Sequence, residues 1–340
     1  MTWLGLIPHY VQDDTFERSL RYARNDIFAL FILFCLILLP SVGFAQQSAA
    51  RNVDRSFLQE ADQAYFHGDI KTSLDLYEKA AREHPGFAAF HTLGVTYAED
   101  KNWDKAAESL EKALSFDPEH GDACANLALV YQQKGDMAKA VAYAEKAVKL
   151  DPKRAANYYT LGWVYEGSGD EAKAEQAYRQ GLVVSPSDAD LYLTLANLYS
   201  KKGDLDAALQ AYAKAIELNP KEVFAYSNSA YVYQKKGNRQ KALELLLKAT
   251  EIAPGDSVAW YDLGVAYSKL DELDKALQCY EKSFELDPKF YKACLSLAMT
   301  YERKRNLEKA AEYYSKALSL TDDPKLRETI LSLIMDTGKQ

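Results

Sequence analysis

Residues 131–152 read YQQKGDMAKAVAYAEKAVKLDP, and this stretch decides the fold because the chain returns to it at a fixed interval. Residues 165–186 read YEGSGDEAKAEQAYRQGLVVSP and residues 199–220 read YSKKGDLDAALQAYAKAIELNP, so that each begins 34 residues after the one before. Proline marks the same place in seven units, at Pro85, Pro118, Pro152, Pro186, Pro220, Pro254 and Pro288. A constant period of this length is typical of stacked units, in which each unit buries its apolar face only against its neighbours.

Every unit predicts a pair of helices. In one unit the seventh, eighth and eleventh residues are Leu161, Gly162 and Tyr165, and these spacings place them on one helical face. The second half of the next unit carries its own apolar stripe, which includes Ala208 and Tyr212. Small residues opposite large ones allow the two helices to approach closely, so we expect an antiparallel helix pair in each unit.

The turn between the paired helices has its own signature. A glycine followed by Asp or Asn, as at Gly135 and Asp136, supplies a left-handed residue that ends the first helix and a cap that begins the second. Three units replace the glycine with Lys101, Asp271 and Arg305. We expect these three turns to be strained or to have a different shape.

The period, the Leu-Gly/Ala-x-x-Tyr core and the closing proline resemble the tetratricopeptide-repeat family, from about Asp54 to Asp322. The units predicted are 54–86, 87–120, 121–154, 155–188, 189–222, 223–256, 257–290 and 291–322. The resemblance implies an all-α solenoid of eight helix-turn-helix tetratricopeptide repeats in a right-handed superhelix, with the first helices lining a concave groove. Residues 324–336 predict a C-terminal capping helix with an apolar face on the last unit and a polar outer side.

The N-terminal residues differ in kind from the repeats. Residues 27–39 form an unbroken apolar run that follows Arg18, Arg21 and Arg24 and precedes a small-residue exit at Ala45. This pattern predicts a secretory signal peptide over residues 26–45, before a linker at 46–53. The lead of residues 1–25 is longer than a signal needs, which indicates a start codon assigned too far upstream.

An uncleaved membrane anchor is the alternative interpretation of the same segment. Residues 27–45 carry no charge, and this length is sufficient to span a bilayer. Both interpretations predict that the repeats lie outside the cytoplasm, in the periplasm or another extracytoplasmic space. In the second, an N-terminal helix would hold them at the inner membrane.

Charge and motifs exclude several classes of function. The 340-residue chain has a formal net charge of −8 and no clustered basic patch, so nucleic acid is a poor partner. The sequence has no Gly-rich phosphate loop, nucleophile elbow or His-Glu-x-x-His motif, so we expect neither catalysis nor a cofactor. His84, His91 and His120 lack recognised metal spacing, and surface imidazoles are expected rather than a metal site. Cys279 and Cys294 are expected to fill core positions, with a disulfide between them as the alternative.

Groove-facing residues are predicted at the second, fifth, ninth and twelfth positions of each unit, on a stripe away from the core. The stripe and its neighbouring sixth position give these candidate binding residues: Tyr159, Trp163, Leu193, Asn197, Phe224, Asn228, Tyr231, Tyr261, Val265 and Met299. Partly exposed aromatic side chains framed by polar groups are typical of surfaces that bind an extended peptide or an amphipathic helix. The alternative is that these side chains pack against neighbouring first helices and expose only their edges.

Family members that hold a terminal carboxylate place cations on this stripe. Here Leu193, Val258 and Asp262 occupy those positions, so a carboxylate clamp is excluded. Asn197 and Asn228 occupy the asparagine positions of that arrangement, and the resemblance implies that they bond the backbone of a bound segment. We therefore expect a non-catalytic scaffold that binds segments of other proteins. A carrier of small apolar ligands for a transporter and a self-assembling structural module are the alternatives.

Overall fold

The computed structural model describes residues 58–337. The predicted lead, signal segment and linker, and the first four residues of the first unit, lie outside this range. The described residues form seventeen α-helices, with no strand among them, which confirms the all-α helix-turn-helix prediction. The first helices of the units are α1 (Gln59–Phe66), α3 (Phe87–Glu99), α5 (Gly121–Gln133), α7 (Ala155–Gly167), α9 (Ala189–Lys202), α11 (Val223–Lys235), α13 (Ser257–Lys269) and α15 (Tyr291–Arg303). The second helices are α2 (Ile70–Glu83), α4 (Trp103–Phe116), α6 (Met137–Leu150), α8 (Glu171–Val184), α10 (Leu205–Leu218), α12 (Arg239–Ile252), α14 (Leu273–Leu286) and α16 (Leu307–Ser319), and α17 (Pro324–Thr337) follows.

The described residues fall into two compact units, residues 58–191 and residues 192–337, with the division inside α9. We call them the N-unit and the C-unit. Each is built from helix pairs stacked on their sequence neighbours. One core of the N-unit contains Tyr77, Leu110 and Leu127, and one core of the C-unit contains Tyr314 and Leu297.

Small residues in the first helices allow close packing of each pair. A Cβ atom placed on Gly162 would lie 2.3 Å from the ring of Tyr178, which is fully buried. The corresponding distance from Gly264 to the Tyr280 ring is 2.6 Å. At the eighth position of these units only glycine leaves room for a tyrosine ring, which explains the alternation of small and large residues in the sequence.

The turns confirm the predicted caps and revise one expectation. Asp136 accepts a hydrogen bond from the Lys139 amide at 3.1 Å, and Gly135 has a left-handed φ of 81°. Lys101 has a φ of 60° in the same region, as do Asp271 and Arg305 in their turns. These three turns are not differently shaped, because they adopt the conformation of the glycine turns. The side chain at that residue makes the conformation strained.

Three of the loops between successive units are held by an aromatic residue at the fourth position. The Tyr158 hydroxyl donates to the carbonyl oxygen of Pro152 at 3.2 Å, and the indole N–H of Trp260 donates to that of Pro254 at 2.9 Å. Tyr226 repeats the contact. Because the donor and acceptor lie six residues apart across the loop, the bond fixes where the next first helix begins.

Helix α17 packs against the last pair through Ile330, which is fully buried. Arg327 donates to the carbonyl oxygen of Leu318 at 2.8 Å. The outer side differs from the polar one expected, because Leu331 and Met335 are 46% and 60% exposed. Within residues 58–337, none of the helices combines the length and apolarity needed to cross a bilayer.

The cysteines in the described part of the chain are all free thiols. Cys124, Cys279 and Cys294 are buried among apolar side chains, so the disulfide alternative for Cys279 and Cys294 is not what the structure shows. Burial raises the pKa of Cys279 and Cys294 to about 11 each. The thiol forms are therefore the stable ones at neutral pH.

Candidate partner-binding surface

Five of the candidate residues are half-buried in the C-unit, and four of them recur at matching places on consecutive first helices. We call them the C-unit stripe, and they are Asn197 on α9, Phe224 and Tyr231 on α11, Val265 on α13 and Met299 on α15. Asn197, Tyr231, Val265 and Met299 are ninth residues of their units, spaced 34 residues apart. The partial exposure of Tyr231, Val265 and Met299 leaves apolar and aromatic side-chain surface at the same register of three successive helices.

Two other candidates belong to the interior. Leu193 is only 5% exposed and Tyr261 is 2% exposed. The Tyr261 ring lies edge-on to Phe290, with centroids 5.1 Å apart, and 5.7 Å from the centroid of Tyr280. The candidate apolar surface is therefore narrower than the sequence indicated, because Phe290 and Tyr280 cover the Tyr261 ring.

Asn197 of the stripe forms a polar network with the buried Asn228 and Tyr212. The Tyr212 hydroxyl donates to Oδ1 of Asn197 at 2.6 Å, and the Asn228 side-chain amide donates to the same oxygen at 2.9 Å. Burial raises the pKa of Tyr212 well above its ordinary value, so the hydroxyl remains a donor. The network holds the Asn197 carboxamide in one orientation, with its oxygen already engaged and its amide group as the part that remains to meet a partner.

A row of cations borders the stripe, and the sequence interpretation did not include it. Lys201, Lys235, Lys269 and Arg303 are the thirteenth residues of the four C-unit repeats. The Lys235 ammonium lies 4.8 Å from the Tyr231 ring centroid, one helical turn from the stripe. The signal for the row was present in the sequence as a basic residue recurring every 34 positions.

Contacts between neighbouring helices join two members of the row to the preceding repeat. Lys269 donates to Oε1 of Gln234 at 2.7 Å, and Arg303 donates to the Ser268 hydroxyl at 2.9 Å. Each acceptor is the twelfth residue of the preceding repeat. Burial lowers the pKa of Lys269, and the nearby positive charge of Arg239 lowers it further.

The N-unit contributes two of the candidates, Tyr159 and Trp163, and both are half-buried on α7. The Tyr159 ring centroid is 6.2 Å from that of Tyr178. The carbonyl oxygen of Trp163 accepts a hydrogen bond from the Gln132 side-chain amide of the preceding repeat at 3.3 Å. This bond fixes the backbone that carries the indole.

The histidines meet around an aromatic ring in the N-unit. The Phe87 ring is stacked on His91 and His120, with centroid distances of 5.2 and 4.1 Å. The His120 Nδ1 atom accepts from the Ala123 amide at 3.4 Å and caps α5. Within residues 58–337, no group of three or more His, Cys, Asp or Glu side chains is arranged to hold a metal ion.

Models of the tetratricopeptide repeat match residues 87–120, 122–182, 189–222, 225–256, 257–290 and 291–324. A search of curated proteins finds no significant match to the chain. Solved structures with a similar fold include yeast Tom70, at 17% identity and a TM-score of 0.62, covering 80% of this chain and 59% of that one. A tetratricopeptide repeat protein from Parabacteroides merdae is 19% identical with a TM-score of 0.55, covering 73% of this chain and 98% of the other.

The pilF protein of Pseudomonas aeruginosa is 19% identical, with a TM-score of 0.53, and the match covers 62% of this chain and 96% of that chain. These identities support the fold alone. The repeat models, by contrast, match most of the sequence, and they follow the helix pairs that the structure shows. The chain therefore belongs to the tetratricopeptide-repeat family.

Proposed function

We propose that this protein is a non-catalytic scaffold that binds an extended or helical segment of another protein along the C-unit stripe. Tetratricopeptide-repeat proteins in general mediate protein–protein interactions, and the repeat is typically a scaffold without catalysis of its own. The observation that carries the proposal is the half-burial of Tyr231, Val265 and Met299 at one register, with the half-buried Phe224 on the same helix as Tyr231. Apolar side chains that the fold leaves partly uncovered gain free energy when a partner covers them.

The stripe suits a peptide because it combines apolar anchors with a fixed amide. Phe224 and Tyr231 offer aromatic surface with few rotatable bonds, so ordering them on binding costs little conformational entropy. The Asn197 carboxamide is held by Tyr212 and Asn228, and its amide group can donate to a backbone carbonyl of the bound segment. The N-unit residues Tyr159 and Trp163 would provide a second contact region.

We also propose that the repeats act outside the cytoplasm. The basic lead, apolar run and small-residue exit of residues 1–45 support export. Fractionation of cells that produce a C-terminally tagged chain tests this, followed by N-terminal sequencing. Export with cleavage gives a new N-terminus near residue 46, and an anchor gives an uncut chain in the membrane fraction. Recovery of an uncut chain in the cytoplasmic fraction would contradict export.

Affinity capture from an envelope extract tests the binding proposal. We compare the natural chain with the Trp163→Ala/Tyr231→Ala variant and identify retained proteins by mass spectrometry. The double variant is expected to lose the specific partner while keeping its helical circular dichroism. Val183→Ala/Leu286→Ala is the matched control, because it removes exposed apolar surface from one second helix in each unit. Equal retention by all three proteins would contradict binding through the stripe.

A further inference from the structure

The negative charge of the protein is confined to one of its two units. Residues 58–191 contain 14 Lys and Arg against 23 Asp and Glu, a net charge of −9. Residues 192–340 contain 22 against 21, a net charge of +1. The overall charge of −8 therefore comes from the N-unit, and the charges of the C-unit are nearly balanced. In the C-unit, the positions of the charged side chains decide the electrostatic potential at its surface.

The thirteenth position shows how the charges are placed. In the C-unit the residues are Lys201, Lys235, Lys269 and Arg303, whereas in the N-unit they are Phe66, Glu99, Gln133 and Gly167. The position follows the ninth residue by one helical turn, so three repeats in succession place a cation one turn from an apolar or aromatic ninth residue, Tyr231, Val265 or Met299. The two halves of the array thus differ in charge at a structurally equivalent row.

Two contacts of the row are with neutral groups, which leave the positive charges of Lys235 and Lys269 in place, and the carboxylate of Asp262 also acts on Lys269. Lys235 lies over the Tyr231 ring, and Lys269 donates to the Gln234 carboxamide. Arg303 also reaches Asp271 at 2.7 Å, but that carboxylate is 82% exposed, where an ion pair is screened by water. Glu302, the carboxylate next to Arg303 in the sequence, accepts a hydrogen bond from the Tyr314 hydroxyl at 2.7 Å and is held there.

We infer that the segment bound along the C-unit stripe is an acidic peptide, whose apolar residues pack on Phe224, Tyr231, Val265 and Met299 while its Asp and Glu side chains pair with Lys235, Lys269 and Arg303. This inference rests on the proposed function and names the chemistry of its partner. Complementary charge at the rim of an apolar surface steers association and selects among partners more than it adds affinity.

A peptide fits this row better than a nucleic acid does. The cations occur once per repeat, with apolar and aromatic side chains between them, so a strand with a phosphate at every nucleotide would be left largely unpaired. The N-unit charge of −9 would also repel a polyanion at long range. A peptide that alternates carboxylates with apolar residues matches both features.

The test measures the anisotropy of fluorescein-labelled probes titrated with the full chain. The probes are a 14-residue peptide of alternating Glu and Leu, its Lys-for-Glu counterpart, its Gln-for-Glu counterpart and a 20-nucleotide single-stranded DNA. The acidic peptide is expected to bind tightest, and its affinity is expected to fall several-fold as NaCl rises from 50 to 300 mM, because salt screens rim charges.

Variants that reverse the charge of cations in the row test whether those cations bind the acidic peptide. Lys235→Glu/Arg303→Glu is expected to weaken binding of the acidic peptide by roughly tenfold, the range of two rim ion pairs. Lys248→Glu/Lys282→Glu changes the net charge equally, but these lysines lie on second helices beside Glu251 and Glu285. The control variant is expected to keep the natural affinity.

The outcomes separate this inference from the proposed function. Equal binding of the three peptides, or equal weakening by both variants, overturns acidic selectivity while leaving binding along the stripe in place. DNA that binds more tightly than the acidic peptide and loses affinity in Lys235→Glu/Arg303→Glu replaces the peptide inference with a polyanion site. Failure of every probe, together with failed capture, overturns both proposals.

Discussion

The Tyr301 hydroxyl donates a hydrogen bond to Oε1 of Glu281 at 2.9 Å, and the two residues come from consecutive repeats. Lys309 completes the group, with its ammonium 3.4 Å from the same hydroxyl and 4.9 Å from the ring centroid. The arrangement recurs as Tyr97 with Glu78 and Lys105, Tyr131 with Glu111 and Lys139, and Tyr165 with Glu145 and Lys173. Neighbouring repeats are therefore joined by a charge-assisted polar contact as well as by apolar packing.

Removing the glutamate at one of these junctions should weaken the stack. Glu281→Ala is expected to lower the free energy of unfolding by about 1 kcal/mol, because a hydrogen bond to a charged group is lost at a half-buried site. Urea titration followed by circular dichroism measures the change. Glu285→Ala is the control, since that carboxylate pairs only with Lys282 at an exposed site, and an equal loss in the control would contradict the interpretation.

Installing the glutamate where it is missing should have the opposite effect. Leu247 occupies the position relative to Tyr267 that Glu281 occupies relative to Tyr301, and its side chain is 44% exposed. The Lys275 ammonium already lies 5.2 Å from the Tyr267 ring centroid, so two of the three members are in place. Leu247→Glu is expected to raise the free energy of unfolding by about 0.5 kcal/mol. Leu247→Gln lacks the charge and should give a smaller gain. If only the Glu variant lost stability, the introduced carboxylate would not be forming the hydrogen bond with Tyr267.

Adding one methyl group at Gly162 should be costly. Its new Cβ would meet the buried Tyr178 ring, so Gly162→Ala is expected to lower the free energy of unfolding by about 1–2 kcal/mol despite the better helix propensity of alanine. Gly255→Ala is the control, because no atom lies within 4 Å of its added Cβ. Thermal unfolding of the two variants in parallel measures the difference, and equal melting temperatures would contradict it.

Replacing a strained residue with glycine should stabilise a turn. Lys101 is held at a φ of 60°, so Lys101→Gly is expected to raise the free energy of unfolding by about 0.5–1 kcal/mol as the steric strain is relieved. The reverse change, Gly135→Lys, tests the same conformation and should cost a similar amount. Denaturant midpoints measure both. A turn that loses stability when Lys101 becomes glycine would show that strain does not dominate there.

Lys292 should make stability depend on pH in the alkaline range. It is 4% exposed, and burial lowers its pKa from the ordinary value of 10.5 to about 8. Because the folded-state pKa is the lower one, the unfolded chain binds more protons between these values, and this group's contribution to folding becomes more favourable as pH rises.

The comparison with Lys292→Met isolates that contribution, since all other titrating groups are shared. Relative to the variant, the natural protein should gain about 2 kcal/mol in free energy of unfolding between pH 7.5 and pH 9.5. Urea titrations at the two pH values measure it. A difference between the two proteins that does not change with pH would show that the ammonium is not buried in the folded protein.

Much of the fold could be predicted because the same pattern of apolar residues, turn and helix cap recurs in nearly every repeat. The Leu161, Gly162 and Tyr165 pattern identified the first helices, and the Gly135–Asp136 pair identified a turn whose cap the structure confirms. The candidate surface could be predicted only in part. The position within the repeat assigned Leu193 and Tyr261 to this surface, but whether a fifth-position side chain is covered depends on packing with residues distant in the sequence, as Phe290 shows for Tyr261.

Periodicity and backbone preferences within each repeat specify the helix pairs, their spacing and the turn residues, so these features could be predicted from the amino-acid sequence. Packing between repeats specifies which stripe residues stay uncovered, how Tyr212 and Asn228 hold Asn197, and that Lys269 and Arg303 reach across to the preceding repeat. The physical reason is that burial and side-chain hydrogen bonds depend on distances between repeats, and those distances are set by packing among residues far apart in the chain.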